Sequence, residues 1–94
     1  MIVKPEAAQD ILDAARWYED RRAGLGRKFQ DSLDRVFRQI EVMPEAHREL
    51  YSQIRRALIP GFPFGVYYRI EDAEVIVLAV VHSSRDPDRW KERR

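Results

Sequence analysis

Four side chains in the second half of the chain have the types that acid–base chemistry on a phosphate requires. His82 can take up or release a proton near neutral pH. Arg56, Arg69 and Arg85 can contact phosphate oxygens in a bidentate manner and offset the charge of a phosphorane. Cleavage of RNA by its own 2′-OH needs such a set, namely a proton acceptor, a proton donor and cations. These residues are therefore the candidates for a metal-independent nuclease site.

The same side chains also have a structural interpretation. A histidine at a strand end commonly serves as a hydrogen-bonding group, and Arg56 and Arg69 can pair with acidic side chains on a solvated sheet face. Arg85 is the strongest functional candidate, because it follows His82 at the end of a strand, where a loop can present it. Residue types alone leave both interpretations open.

Metal and disulfide chemistry are not expected. The chain contains no cysteine, and its two histidines, His47 and His82, lack the spacing of metal ligands. We therefore expect no metal, no cofactor and no disulfide, as suits a protein of the reducing cytoplasm.

The composition predicts one folded domain, residues 1–94. With 45% hydrophobic residues the chain can form a packed core, although a chain this short gains stability from a partner. No apolar run has the length of a signal peptide or a membrane span, so we expect a cytoplasmic location away from membranes. The net charge of +1 excludes a polycation. The basic excess lies in residues 47–94, where an anionic partner would bind.

The first half of the chain has the periodicity of two helices. Pro5 suits a first helical position after a short strand at Ile2–Val3. The charged residues beside the first apolar stripe, among them Asp10, are expected to face water. The glycine-containing connection predicts a helical hairpin, and Met43-Pro44 ends its second helix. The two stripes consist of Ala8, Ile11, Leu12, Ala15 and Tyr18, and of Leu25, Phe29, Leu33, Val36, Phe37 and Ile40.

The second half of the chain has strand patterns. Residues 50–59 are mixed, but Ile54 and Leu58 stand among charged or polar neighbours, as on a half-buried strand. Residues 60–63 form a turn, and residues 64–70 alternate as in a second strand. A short acidic turn leads to the apolar run 75–81, which predicts a strand covered on both faces. Asp86-Pro87 is predicted to start a short C-terminal helix or turn. The result is an α+β domain of order β-α-α-β-β-β, with the helical hairpin packed on a twisted antiparallel sheet.

Several short motifs follow one another in a fixed order along the chain. They are Ala14-x-x-Trp17-Tyr18-Glu19, Gly24-Leu25-Gly26-x-x-Phe29, Ile40 to Pro44, Arg56, Gly61-Phe62-Pro63-Phe64, Tyr67-Tyr68-Arg69 and His82-x-x-Arg85-x-Pro87-x-x-Trp90. No single motif is specific, but their order and spacing over nearly the whole chain resemble the RelE/ParE superfamily of bacterial toxins. The resemblance implies a toxin that is held inactive by an antitoxin encoded beside it.

The superfamily has two main activities, and the chain departs from the pattern of one of them. RelE-like toxins cut mRNA on the ribosome, whereas ParE-like toxins inhibit DNA gyrase. RelE-like nucleases usually have an arginine where this chain has Gly65, lysines in the strand that here carries Arg55-Arg56, and a tyrosine or histidine in the tail that here offers Trp90. The resemblance therefore favours a ParE-like, non-enzymatic gyrase inhibitor that arrests growth and serves plasmid stabilisation. The alternatives are an mRNA endonuclease acting on translating ribosomes and a non-toxic binding module.

Aromatic and basic residues are the candidates for binding partners in a toxin–antitoxin hetero-oligomer. Trp17 either flanks the core or anchors an antitoxin segment. Trp90 either covers the sheet or anchors a partner, and the arginine-rich tail around it is commonly solvated. The antitoxin-binding candidates are Leu12, Trp17, Tyr18 and Phe37, and the target-binding candidates are Arg85, Arg89, Trp90 and Lys91.

Overall fold

A computed structural model describes residues 1–85 and 88–93 of the chain. Two helices pack on a five-stranded mixed sheet of strand order β1-β5-β4-β3-β2. The predicted α+β fold is confirmed, including a C-terminal turn, whereas the predicted start of that turn at Asp86-Pro87 lies outside the described residues. The elements are β1 (Ile2–Val3), α1 (Pro5–Arg21), α2 (Leu25–Val42), β2 (Glu49–Tyr51), β3 (Ile54–Leu58), β4 (Phe64–Glu71), β5 (Glu74–His82) and a 3-10 turn (Lys91–Arg93).

Two details of the sheet differ from the sequence prediction. β1 runs parallel to β5, so the sheet is mixed, while β2 to β5 are antiparallel to their neighbours. The strand β2 is additional, and it joins β3 through Ser52 and Gln53, whose φ values are both positive. Such a tight hairpin turn normally carries asparagine or glycine. The sequence has neither residue at these two positions and so carries no signal for the turn. In the structure, a hydrogen bond from Gln53 N–H to the Glu49 carboxylate holds the turn.

The two helices approach each other closely at the start of α2. Gly24 has a φ of +88°, which lets the chain reverse after α1. The Glu19 carboxylate accepts hydrogen bonds from the N–H groups of Gly24 and Gly26 and so satisfies free donors at the start of α2. A Cβ at Gly26 would lie 2.6 Å from the Ala15 carbonyl oxygen, so the contact between the helices requires glycine there.

The buried face of α1 is rotated by about one residue from the predicted stripe. Leu12 is 53% exposed, whereas Asp10, expected to face water, is only 6% exposed. The reason is that α1 packs against β5 with small side chains and with one carboxylate that bonds the strand's backbone. The buried positions of α1 are Ala7, Asp10, Ala14, Ala15 and Tyr18. The predicted stripe of α2 agrees better, because Phe29, Leu33, Val36 and Ile40 are all buried.

The sheet has two buried faces. The helix face carries Val66 and Tyr68 of β4 and packs against α1 and α2. The second face carries Tyr67 and is covered by Trp90 from the C-terminal segment. The prediction that β5 is covered on both faces is therefore confirmed, since every residue from 75 to 81 is buried.

A β-bulge shifts the alternation of β5. Tyr67 pairs with Ala79 and Tyr68 pairs with Val77, so Leu78 is an extra residue on β5. Leu78 and Ala79 both belong to the cluster on the second face. Beyond the bulge, Val80 lies on the helix face, opposite the face that strict alternation from Leu78 would give.

No helix among residues 1–85 and 88–93 is long and apolar enough to cross a membrane.

Candidate functional site

His82, the last residue of β5, is fixed by the turn that follows it. Its Nδ1 accepts hydrogen bonds from the backbone N–H groups of Ser84 at 3.2 Å and Arg85 at 3.1 Å. The ring also meets the edge of Phe64 at 5.7 Å between centroids, on the helix face. An accepting Nδ1 leaves the proton of the neutral ring on Nε2. The lone pair that a general base would use is therefore already engaged by the backbone.

Arg85 stands at the helix-face end of the sheet beside Tyr18. Burial raises the pKa of the Tyr18 hydroxyl above its ordinary value of 10.0, and the positive charge of Arg85 partly offsets this effect. The Arg85 side chain is exposed. Arg85 and His82 therefore lie on the same face, where the exposed arginine side chain can meet an anionic group.

Arg56 and Arg69 lie on the second face of the sheet. Arg56 is directly opposite Tyr67, and Arg69 is directly opposite Ile76, both of which belong to the second-face cluster. Directly paired residues of neighbouring strands project to the same side. The Arg69 guanidinium also bonds the Glu71 carboxylate at 3.0 Å. The four nuclease candidates are thus divided, two on each side of the sheet.

Gly65 makes room for Arg56. A Cβ at Gly65 would lie 3.0 Å from Arg56 Cγ and 3.2 Å from Tyr67 Cε1. A large side chain at this position would displace the arginine or the tyrosine ring. The glycine that departs from the nuclease pattern is therefore part of the packing of the second face.

A groove of about 290 Å³ runs beside α1 on the helix face, and we call it the α1 groove. Trp17 forms one wall and is 46% exposed, with the Arg21 guanidinium 4.0 Å above its ring. Its inner edge packs on Tyr18 at 5.1 Å between centroids. Other walls and the mouth of the groove are formed by Asp10, Asp13, Ala14, Pro63, Phe64, Val80, Val81, His82, Arg85 and Arg89.

The four antitoxin-binding candidates occupy different environments. Trp17 and Tyr18 both line the α1 groove, although Tyr18 is itself mostly buried in the core. Leu12 projects from α1 into solvent. Phe37 is half-buried and packs against the helix-face core. The groove therefore brings together only the adjacent aromatic pair.

The C-terminal residues 88–93, which we call the strap, cross the second face. Trp90 is 5% exposed and stacks on Tyr67, with ring centroids 5.0 Å apart and planes inclined by 12°. Trp90 was predicted either to cover the sheet or to anchor a partner, and its buried position on Tyr67 is consistent with covering the sheet. The other target-binding candidates of the strap are more accessible: Arg89 is exposed, and Lys91 lies 3.2 Å from Asp88 and above the Tyr51 ring.

A buried charge cluster at Asp10 was missed by the sequence analysis. The Asp10 carboxylate accepts the N–H of Val80 at 3.1 Å and both terminal nitrogens of Arg93, one of them at 3.2 Å. Arg89 adds a fourth contact at 3.7 Å. The available signal was the spacing of Asp10 from Ala7 and Ala14, which puts it on the alanine side of α1. Hydrophobic periodicity gives no weight to a carboxylate on such a face.

Metal ligands do not cluster in the part of the chain that the structure describes. No group of three or more His, Cys, Asp or Glu side chains there is arranged to hold a metal ion.

Comparison with known proteins assigns the chain to a family. No curated protein matches its sequence significantly. A family model described as the ParE toxin of type II toxin–antitoxin system, parDE, matches residues 1–87, which include both helices and all five strands. Members of such a family have an antitoxin protein as partner. The chain belongs to the ParE toxin family of type II toxin–antitoxin systems.

Proposed function

We propose that this toxin acts by binding DNA gyrase and that it does not cut RNA. The observation that carries the proposal is the division of Arg56 and Arg69 from His82 and Arg85 by the sheet. A phosphorane needs its acid, its base and its cations within hydrogen-bond reach of the same few atoms. Groups on opposite sides of a backbone layer do not reach one phosphate together.

The state of His82 supports the same conclusion. Its Nδ1 holds the turn through two backbone N–H groups, so taking up a proton there would break both bonds. The second face lacks a histidine near Arg56, and Arg69 is already paired with Glu71. Neither face among the described residues therefore combines a free base with free cations.

The surface that we propose for the target is the exposed basic border of the strap and of the turn after β5. Arg85 and Arg89 are exposed at the mouth of the α1 groove, and the half-buried Lys91 lies further along the strap above the Tyr51 ring; together they give a positive edge beside the covered second face. Positive edges of this kind steer association with acidic protein surfaces and set specificity. We propose that gyrase presents such a surface to this edge.

We propose the α1 groove as the site of the antitoxin. A half-exposed tryptophan over a groove is the arrangement found at binding hot spots, where one aromatic side chain contributes much of the affinity. Trp17→Ala is expected to weaken antitoxin binding by at least about tenfold, whereas Leu12→Ala on the opposite side of α1 is a matched control with little effect. Isothermal titration calorimetry with the cognate antitoxin measures both. Equal losses in the two variants would contradict the groove assignment.

Supercoiling by purified gyrase tests the main proposal. The toxin is expected to inhibit supercoiling or to trap cleaved DNA, and a His82→Ala variant is expected to retain at least about half of this effect provided that the turn remains folded. Transcripts in a translating extract are expected to remain intact. Cleaved transcripts without any effect on gyrase would establish the mRNA endonuclease instead. Harmless expression of a folded protein, inactive in both assays, would establish the non-toxic binding module.

A basic-edge variant locates the contact. Arg85→Ala with Arg89→Ala is expected to reduce gyrase inhibition by at least about tenfold and to leave the fold intact, since both side chains are exposed. Arg27→Ala with Arg35→Ala removes the same charge from exposed positions of α2 and serves as the control. Inhibition that falls equally in both variants would indicate a general charge effect and contradict the assigned edge.

A further inference from the structure

Two residues, Trp90 and Arg93, attach the strap to different parts of the molecule. Trp90 packs on Tyr67 in the second-face cluster, and Arg93 binds Asp10 on α1. Arg93 also donates to the backbone oxygen of Leu78 at 3.3 Å. Between these points the strap makes a single turn of 3-10 helix, which is too short to be stable alone. The position of the strap therefore depends on side-chain contacts.

Asp10 meets the strap at a gap in the sheet. β1 pairs with Ile76 and Val77, and within residues 1–85 and 88–93 the edge of β5 beyond them has no strand partner. Asp10 accepts the N–H of Val80 on this open edge, and Arg93 donates to the oxygen of Leu78 on it. One carboxylate and one guanidinium thus close the edge together, and they bind each other in bidentate fashion.

Burial strengthens the ion pair between Asp10 and Arg93. The side chains of Asp10 and Arg93 are 4% and 16% exposed, so water replaces little of their attraction. A buried pair that loses one partner leaves the other charge without compensation. Arg89, at 3.7 Å and half exposed, compensates only in part. Removing either member is therefore expected to act on the strap before it acts on the helices or the sheet.

We propose that Asp10 is the positioning residue of the strap: through Arg93 it holds residues 88–93 across the second face, with Trp90 closed on Tyr67 and the basic edge in a fixed place. Loss of the pair releases the strap, exposes the second-face cluster and disperses the basic edge. The role of this edge in target binding rests on the proposed function, whereas the attachment of the strap is independent of it.

The experiment uses Trp90 as its own reporter. The chain has two tryptophans, so a Trp17→Phe background leaves Trp90 as the sole fluorescent indole. Asp10→Asn is compared with Arg93→Gln, and the control is Asp13→Asn, one turn along the same helix and bonded to Gln9 instead of the strap. An asparagine at position 10 still offers an oxygen to Val80 N–H, so the first variant removes the charge and keeps the bond that closes the sheet edge.

Both test variants are expected to shift the emission of Trp90 to longer wavelength and to increase its quenching by acrylamide. Trypsin is expected to cut after Arg89 or Lys91 at least about tenfold faster, because a charge-assisted bidentate contact shifts an equilibrium by that factor or more. The double variant is expected to equal the stronger single variant, since both remove the same pair. The Asp13→Asn control keeps the parent values, and far-UV circular dichroism stays unchanged throughout.

Activity separates this role from a general contribution to stability. In the protein that retains Trp17, both test variants are expected to lose gyrase inhibition, and Arg93→Gln, whose side chain does not line the α1 groove, is expected to keep nearly the parent affinity for the antitoxin. Parent-like Trp90 emission and cleavage in either folded variant would overturn the proposal. Arg93→Gln decides the matter alone if Asp10→Asn does not fold, since Arg93 lies outside α1, α2 and the sheet. If the parent protein has no effect on gyrase, the proposed target fails and the fluorescence and cleavage results still decide the role of Asp10.

Discussion

Replacement of Trp90 by alanine distinguishes a structural cover from an exposed binding anchor. Trp90 was a target-binding candidate, and an anchor on the surface would cost the free protein little stability when removed. In the structure the indole is 5% exposed and stacks on Tyr67 within an apolar cluster. Its removal would therefore open a cavity and expose the Tyr67 ring to water.

The magnitude follows from burial and from the way the strap is attached. Trp→Ala at a buried site costs about 3–5 kcal/mol. Because the strap can detach as a unit, the loss cannot exceed the free energy with which it docks. We therefore expect Trp90→Ala to lower the free energy of unfolding by about 3 kcal/mol, out of a total of roughly 5–15 kcal/mol for a domain of this kind. Trp17→Ala removes a half-exposed ring and is expected to cost less than about 1 kcal/mol.

Urea unfolding followed by far-UV circular dichroism measures both changes without relying on the removed fluorophore. Trp90→Phe keeps an aromatic ring over Tyr67 and is expected to fall between the parent and Trp90→Ala. A Trp90→Ala variant that is as stable as the parent, or no less stable than Trp17→Ala, would refute the assignment of Trp90 as a cover. It would return the residue to the role of a partner anchor.

Two further substitutions test the packing of the helices and the alkaline limit of stability. Gly26→Ala places a methyl group 2.6 Å from the Ala15 carbonyl oxygen, so we expect a loss of about 1–3 kcal/mol in urea unfolding; an unchanged midpoint would contradict the close approach of the helices. Tyr68→Phe removes the hydrogen bond to the Pro44 carbonyl and is expected to cost about 1–2 kcal/mol. Burial raises the pKa of Tyr68 above 10.0, with Arg55 partly opposing, so ionisation is easier in the unfolded chain. The contribution of this group to the free energy of unfolding is therefore constant below pH 10.0 and falls above it. When the pH is raised from about 9 to about 11, Tyr68→Phe is expected to lose less stability than the parent protein.

The elements of the fold were predictable where they depend on local spacing. The apolar spacing of α2, the proline at the start of α1 and the apolar run of β5 each encode an element with little help from distant residues. The strand β2 was not predictable, because Ser52-Gln53 resembles no common hairpin turn. The parallel pairing of β1 with β5 was not predictable either, since it joins the two ends of the chain.

The site was less predictable because its contacts span the chain. Asp10 binds a residue 83 positions away and the backbone of another 70 positions away. A periodicity argument compares a residue only with its neighbours three and four positions along the helix, so it assigned this aspartate to solvent. Local spacing also leaves two roles open for Trp90, because its partner Tyr67 belongs to a different element and lies on the face of the sheet away from the helices.

The bulge in β5 bears most directly on function. Strict alternation would place Ile76, Leu78, Val80 and His82 on one face, and Arg69 opposite Ile76 would then share that face with the histidine. Strict alternation would therefore predict a nuclease site in which His82 and Arg69 share one face. The extra residue Leu78 reverses the alternation, so His82 projects to the helix face while Arg69 stays on the other. The pairing of His82 with Phe64 therefore keeps the histidine away from two of its three candidate arginines. Deletion of Leu78 would not bring them together, because Val77 and Ala79 already pair with Tyr68 and Tyr67, and His82 would stay opposite Phe64.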